Sequence, residues 1–169
     1  NVEGANARPF SGPVLPQGNN PVKTPIPVAR ISDMLEHPGA TYQFNGKICT
    51  YPDIHLIYWA GGNPFHHHQD INRLVRAWRK PDTIVVNEQF WNANAKHADI
   101  VLPATTMLER DDIGSSSRDR FIIAMNRAID PVGEARDDYA IFSALAERLG
   151  AGEIFTEGRT AAEWLRHMY

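Results

Sequence analysis

The segment "HLIYWAGGNPFHHHQDINRLVRAWRKPDTIVVNE" (His55–Glu88) decides the predicted fold, because two apolar runs enclose a glycine-rich turn and an amphipathic stretch. The first run, "HLIYWA", predicts a buried strand, and "TIVVN" (Thr83–Asn87) predicts a β-branched one. The stretch between them predicts a helix, since four apolar residues follow helical spacing: Ile71, Leu74, Val75 and Trp78. This order predicts a parallel βαβ unit with a right-handed crossover.

The segments that follow extend this unit. "ADIVLP" (Ala98–Pro103) predicts a third strand, and "RFIIAM" (Arg120–Met125) predicts a fourth. "DDYAIFSALAERLG" (Asp137–Gly150) predicts a helix that an aspartate, Asp137 or Asp138, caps. Its packed face is expected to contain four apolar residues: Ile141, Phe142, Leu145 and Leu149.

The N-terminal region has a different character. Residues 1–28 are rich in proline and lack an amphipathic period, which predicts an extended arm. Residues 29–169 then form one α/β domain that opens with a short helix and a hairpin, whose turn is Asn45-Gly46. The predicted fold class is α/β and Rossmann-like: a small, mostly parallel sheet with helices on both faces, plus the arm.

Composition excludes several classes of protein. With 169 residues, 43% hydrophobic residues and a net charge of −3, the chain suits a globular domain and gives no indication of a nucleic-acid partner or membrane insertion. A single cysteine, Cys49, excludes a disulfide framework and a multi-cysteine metal site. The chain starts at Asn1 rather than Met, and this favours an internal segment of a larger protein.

Four places are expected to follow strands or begin helices along one edge of the sheet, where ligands bind in doubly wound folds. They are Gly61-Gly62-Asn63-Pro64, Asn87-Glu88, Glu109-Arg110 and Asp138. Each alone is explained by turn geometry or capping, but their shared edge predicts a ligand the size of a nucleotide. The lack of GxGxxG argues against an ordinary NAD or FAD site.

The run His66-His67-His68 suggests a metal site at first sight. Consecutive side chains diverge in any regular structure, so at most two could reach one ion. We therefore predict no metal site here, and expect a histidine that donates to a ligand or to the backbone.

Three stretches resemble the molybdenum oxidoreductases of the dimethyl sulfoxide reductase family: "YWAGGNPFHHHQDINRLVRAW", "KHADIVLPATTMLERDDI" and "EARDDYAIFSALAERLG". Within that family the similarity points to the trimethylamine N-oxide, dimethyl sulfoxide, and biotin or methionine sulfoxide reductases. The resemblance implies a cofactor-binding segment of an enzyme that removes an oxygen atom from a sulfoxide or amine N-oxide by two-electron reduction. The implied cofactor is molybdenum held by two molybdopterin guanine dinucleotides.

The resemblance also implies which residues contact the cofactor: Asn63, His67, Asn87, Glu88, Arg110 and Asp138. Chemistry suggests Asp138 for the guanine edge, Glu88 for the ribose hydroxyls and Arg110 for a phosphate or guanine O6. Asn63 and the backbone of Gly61 and Gly62 would face the pyrophosphate. No catalytic residue and no metal ligand is predicted, since the family's molybdenum-ligating serine has no match here.

The segment is therefore expected to be inactive alone, with the remaining domains of the same catalytic subunit and an electron donor, a cytochrome or reductase, as partners. Two alternatives stay open at this point. One is a nucleotide-binding module of another oxidoreductase class, and the other is a non-catalytic interaction domain.

Overall fold

A computed structural model describes residues 14–115 and 121–169 of the protein. The chain divides into two compact units, the first Asn19–Pro103 and the second Asn1–Gly18 with Ala104–Tyr169. Residues 1–13, which belong to the predicted arm, lie outside the described residues. Residues 116–120 also lie outside them, and these include Arg120, the first residue of "RFIIAM". Residues 14–27 have no regular secondary structure and are mostly exposed.

The first unit begins with a short helix and a hairpin. A 3-10 turn, Val28–Arg30, leads into helix α1 (Ile31–Glu36), and an antiparallel pair follows, β1 (Thr41–Phe44) and β2 (Lys47–Thr50). Asn45 and Gly46 have φ values of +47° and +75°, which are the two positive values that a type I′ turn requires. The predicted hairpin is confirmed.

A three-stranded parallel sheet forms the rest of this unit. Its elements in chain order are β3 (Leu56–Ala60), α2 (Pro64–His67), α3 (Ile71–Ala77), β4 (Thr83–Glu88), α4 (Ala93–Lys96) and β5 (Ile100–Pro103). β4 lies between the other two strands and pairs in parallel with both. The α/β class and the parallel βαβ unit are therefore confirmed, whereas α2 and α4 were not predicted.

The burial of β3 differs from the prediction. Leu56 is 58% exposed, and no residue of β3 is fully buried. Among the strands that the structure describes, β3 pairs with β4 alone, so this edge strand is less enclosed than the central one. The buried apolar strand is β4, where Ile84 and Val86 are 4% and 0% exposed.

Trp78 is the largest buried side chain of the first unit, at 1% exposed, and directly follows α3. Its ring meets Trp59 and Phe65 edge-to-face at centroid distances of 5.7 and 5.5 Å. Leu74, also on α3, is 0% exposed. The predicted apolar face of this helix thus holds α3 against the sheet.

Arg73 joins α3 to α1 from the polar side of α3. Its Nη2 lies 2.9 Å from Asp33 Oδ1, and its Nε lies 2.8 Å from Glu36 Oε2. Hydrogen bonds from Tyr51 and then from Arg73 hold the pKa of Asp33 below its usual value. The two ion pairs fix the position of α1 on α3.

The second unit contains an antiparallel pair, β6 (Asp112–Ser115) and β7 (Ile122–Met125), followed by helices α5 (Asp138–Arg148), α6 (Gly152–Thr156) and α7 (Ala161–Met168). The predicted fourth strand exists as β7, but it forms a separate two-stranded sheet with β6. The prediction that it is a fourth strand of the same sheet is therefore wrong. β6 is too short and too polar to give a strand signal in sequence.

Asp137 caps α5, because its Oδ1 accepts a 2.8 Å hydrogen bond from the Ala140 N–H. The predicted packed face is only partly covered, and Leu149 is 74% exposed. Leu149 is the C-terminal cap residue of α5, and Leu145, one turn earlier, is itself 38% exposed.

Trp164 on α7, in the second unit, is buried, at 4% exposed. Its Nε1 donates to the Thr156 carbonyl at 3.1 Å, and the Arg159 guanidinium lies 4.5 Å from its ring centroid. Thr160 and Glu163 form a capping box that starts α7. No helix within the described residues is long and apolar enough to cross a membrane.

Candidate functional site

The carboxyl ends of β3 and β4 bring two predicted places together. Ala60 pairs with Asn87, and Asn87 pairs in turn with Leu102 of β5. Gly61 therefore begins its turn beside the end of β4, where Glu88 lies. This edge is where parallel sheets bind ligands.

Gly61 and Gly62 adopt left-handed backbone conformations, with φ values of +80° and +68°. Apart from the adjoining residues of the chain, a Cβ atom added at either position would meet no atom of the described residues within 4 Å. The turn thus faces open space at the sheet edge. Its backbone is therefore exposed at this edge, and the pyrophosphate-binding role stays a prediction.

Asn63 caps α2, since its Oδ1 accepts a 3.0 Å hydrogen bond from the Phe65 N–H. This capping role is the ordinary explanation for an asparagine at that position. Its amide NH₂ group makes no hydrogen bond with residues 14–115 or 121–169 and keeps two donors for a ligand.

Two of the three histidine rings lie together, and the third lies apart from them. His66 and His67 are exposed, and their rings meet edge-to-face at 5.2 Å. His68 turns away and contacts the Val28 carbonyl through Nε2 at 2.7 Å. In the part of the chain that the structure describes, no three His, Cys, Asp or Glu side chains converge into a metal site.

Asn87 is 6% exposed at the end of the central strand. The Tyr58 hydroxyl on β3 donates a 2.8 Å hydrogen bond to its Oδ1. This bond links the ends of the two strands and orients the Asn87 amide. Sequence reasoning singled out Asn87 but not Tyr58, although Tyr58 lies two residues before the end of its strand.

Glu88 ends β4, and local donors hold both of its carboxylate oxygens. The Gln89 N–H donates to Oε1 at 3.1 Å, and the Asn94 Nδ2 lies 3.5 Å from Oε2. The sequence did not predict α4, so it did not identify Asn94 as a partner of Glu88.

In the second unit, Arg110 and Asp138 line one cleft of about 610 Å³. That volume lies within the roughly 300–1,000 Å³ of small-molecule sites. The first turns of α5 and α7 also line this cleft, through Asp138 and Ala161. Of the eight predicted site residues, Arg110 and Asp138 lie in the second unit and the other six in the first.

The Arg110 guanidinium is fixed from two sides. Its Nη1 donates to the Thr105 carbonyl at 2.7 Å, and its Nε donates to Asp112 Oδ2 at 3.0 Å. Nη2 makes no hydrogen bond with the described residues. The side chain is therefore preorganised while one nitrogen keeps its donors for a ligand.

Glu109 has a structural role next to Arg110. It is 6% exposed and accepts hydrogen bonds from the Thr106 N–H at 2.7 Å and the Val132 N–H at 2.7 Å. These backbone donors, with the Thr106 hydroxyl, hold the pKa of Glu109 below its usual value. Glu109 thereby fixes the loop that carries Arg110.

Two further cations line the same cleft and were not predicted. Arg127 pairs with Asp130 at 3.4 Å, and exposed Arg136 precedes the cap of α5. The Thr105 N–H donates to the Arg136 carbonyl at 3.0 Å, and this fixes the backbone there. Isolated arginines in loops give no periodic signal, so only the folded structure reveals that they share a cleft.

Comparison with known proteins identifies proteins that are similar to this chain. The family model of molybdopterin oxidoreductases matches residues 4–148. A biotin sulfoxide reductase from Cereibacter sphaeroides is 52% identical over 169 residues, which is 98% of this chain and 23% of that protein. A dimethyl sulfoxide/trimethylamine N-oxide reductase from the same organism is 57% identical over 148 residues, 86% of this chain and 18% of that protein.

A trimethylamine-N-oxide reductase from Haemophilus influenzae is 50% identical over 149 residues, 87% of this chain and 18% of that protein. Among solved structures, the acetylene hydratase from Pelobacter acetylenicus matches with a TM-score of 0.54 at 27% identity, over 61% of this chain and 14% of that one. The chain thus spans about a fifth of the length of the curated relatives it matches.

Proposed function

The chain belongs to the molybdopterin oxidoreductase family, and from this we propose that it is the cofactor-binding segment of a molybdenum-dependent S- or N-oxide reductase. The observation that carries the proposal is the 52% identity over 98% of the chain with a biotin sulfoxide reductase. The complete catalytic subunit contains further domains that complete the site. A cytochrome or reductase donates electrons to the complete subunit. The segment alone is inactive.

The proposed cofactor form is a pair of molybdopterin guanine dinucleotides on one molybdenum, and the donor groups of the first unit fit a nucleotide. The open backbone of Gly61 and Gly62 and the amide of Asn63 suit a pyrophosphate. Exposed His67, at the end of α2, is a further proposed donor. The Glu88 carboxylate suits a vicinal diol.

Asn87 acts through a fixed amide, because the Tyr58 hydroxyl orients its Oδ1. We propose that the oriented amide contacts the sugar or phosphate next to Glu88. The buried position of Asn87, at 6% exposed, keeps water from competing for the contact.

The donor groups of the second unit fit the guanine end of a nucleotide. A carboxylate accepts two hydrogen bonds from the N1–H and N2–H₂ edge of guanine, and Asp138 is the proposed acceptor. Arg110, with Nη2 available, binds a phosphate or guanine O6. Both side chains line the same 610 Å³ cleft, and this supports a shared ligand.

Bound to the complete subunit, the molybdenum group supplies the two-electron exchange that reduces a sulfoxide or amine N-oxide. This chain's residues bind and orient the group's nucleotide portion, and none of them is proposed as catalytic. We further propose that the parallel sheet is the centre of a Rossmann-like domain with helices on both faces, and that residues 1–28 form an extended arm.

Asp138→Asn in the complete subunit tests this function. The exchange replaces one acceptor oxygen by a donor, so we expect lower cofactor content and weaker selection of guanine over other bases. The matched control is Glu147→Gln, which changes an exposed carboxylate farther along the same helix, away from the cleft. Unchanged cofactor content and unchanged base selectivity in Asp138→Asn would show that Asp138 does not recognise guanine.

A further inference from the structure

Asn94 on α4 is fully buried, at 0% exposed, although its side chain is polar. Its Nδ2 has one partner, Glu88 Oε2, at 3.5 Å. Its Oδ1 has no hydrogen-bond partner among the described residues. Buried polar atoms are nearly always paired, so an unpaired buried acceptor indicates a side chain that serves something other than packing.

The backbone of Asn94 does not account for the choice of residue. Its N–H donates to Asn92 Oδ1 at 2.9 Å and helps to start α4, but any residue except proline supplies that N–H. Within residues 14–115 and 121–169, the amide makes a single hydrogen-bonding contact, the one to Glu88. The side chain therefore acts on Glu88.

α4 is held firmly enough to act as a support for this donor. The Asn92 side chain caps it, and the His97 ring stacks on Phe65 at a centroid distance of 4.3 Å and an angle of 18°. Phe65 is 9% exposed and Ala95 is 1% exposed. The Asn94 amide is therefore attached to a packed helix that also touches the element after the Gly61-Gly62 turn.

We propose that Asn94 is a positioning residue that restrains the Glu88 carboxylate for the ribose hydroxyls of a guanine nucleotide. An ionised carboxylate has about four acceptor sites, and the Gln89 N–H and the Asn94 amide occupy one on each oxygen. The remaining sites accept from a vicinal diol. This inference rests on the proposed function, in which Glu88 binds those hydroxyls.

The experiment uses the complete subunit, prepared without cofactor, and titrates it by calorimetry with GDP and with 2′,3′-dideoxy-GDP. Asn94→Ala is compared with the wild type and with Asn72→Ala, an exposed control on α3. We expect Asn94→Ala to weaken GDP binding on the order of tenfold, the effect of one hydrogen bond to a charged group. Binding of the dideoxy analogue, which lacks the diol, stays unchanged, and Asn72→Ala alters neither.

A double-mutant cycle separates action through Glu88 from a general structural effect. In a Glu88→Ala background, Asn94→Ala should cause no further loss of GDP affinity. Additive losses, or equal weakening of GDP and the dideoxy analogue, would overturn the positioning role. If the wild type prefers GDP to the dideoxy analogue and Asn94→Ala keeps the same preference, the positioning role of Asn94 is also overturned. The role of Glu88 is then unaffected. A wild type without that preference would refute the proposed function of Glu88 and this inference together.

Discussion

The Tyr58 hydroxyl on the edge strand donates a 2.8 Å hydrogen bond to Oδ1 of Asn87 on the central strand, at the carboxyl ends where both strands stop. Tyr58→Phe removes this bond and keeps the ring. We expect the free energy of unfolding to fall by about 1 kcal/mol, measured by urea denaturation. Tyr169→Phe, at an 86% exposed position, is the control and should leave stability unchanged. Equal stability of both variants would show that the bond contributes nothing.

The left-handed turn after β3 gives a second prediction. At Gly61 and Gly62 an added methyl group meets no described atom beyond the adjoining residues, so an alanine there is disfavoured by the positive φ angle. Gly61→Ala or Gly62→Ala should destabilise the chain by about 1–2 kcal/mol, the energy of placing an L-residue in that region. Gly18→Ala, at an equally open position without positive φ, should be neutral. Thermal unfolding of the three variants checks this, and a neutral Gly61→Ala would contradict it.

The Glu109 loop gives a prediction that depends on pH. Backbone donors lower the pKa of Glu109 in the folded state, so its stabilising contribution is present above the unfolded pKa and is lost as the pH falls through the folded pKa. Glu109→Gln should therefore be less stable than wild type at pH 7, and the difference should shrink as the pH falls below about 4. Urea midpoints measured across this range check the sign, with exposed Glu134→Gln as control. A difference that grows on acidification would contradict the assignment.

His55 should show the opposite pH dependence. Its Nδ1 lies 2.7 Å from Asp82 Oδ2, and this hydrogen bond, together with Asp53, raises the pKa of His55. The pair stabilises the fold fully below the unfolded pKa near 6.5, and the contribution disappears as the pH rises through the raised folded value. Because these side chains are 70% and 75% exposed, we expect a small effect. The melting temperature of His55→Asn should approach that of wild type on going from pH 5.5 to pH 9, while His66→Asn shows no such convergence.

Sequence alone predicted the elements whose signal is local. The apolar spacing around Leu74 and Trp78, the Asn45-Gly46 turn and the aspartate cap of α5 each depend on a few neighbouring residues, and the structure contains all three. The strands before and after α3, β3 and β4, were likewise predicted from local signals, the apolar runs "HLIYWA" and "TIVVN".

What sequence could not predict depends on partners distant in the chain or on very short elements. β7 is recognisable as a strand, yet nothing in its residues identifies β6 as its antiparallel partner. α2 and α4 are four residues each, too short for a helical period, and are started by Asn63 and Asn92. For the candidate site, residue types at strand ends identified Glu88, whereas its support by Asn94 depends on the folding of α4.

The burial of Trp78 and Trp164, one in each unit, supplies the chain with two internal optical reporters. An indole shielded from water emits at shorter wavelength than a hydrated one, so the emission maximum shifts when its surroundings open. The chain has four tryptophans, of which Trp59, Trp78 and Trp91 lie in the first unit and Trp164 in the second. Replacing Trp164 by phenylalanine therefore leaves a fluorescence signal from the first unit alone, and replacing the other three leaves a signal from the second. The two halves of the molecule can thus be followed separately without any attached dye.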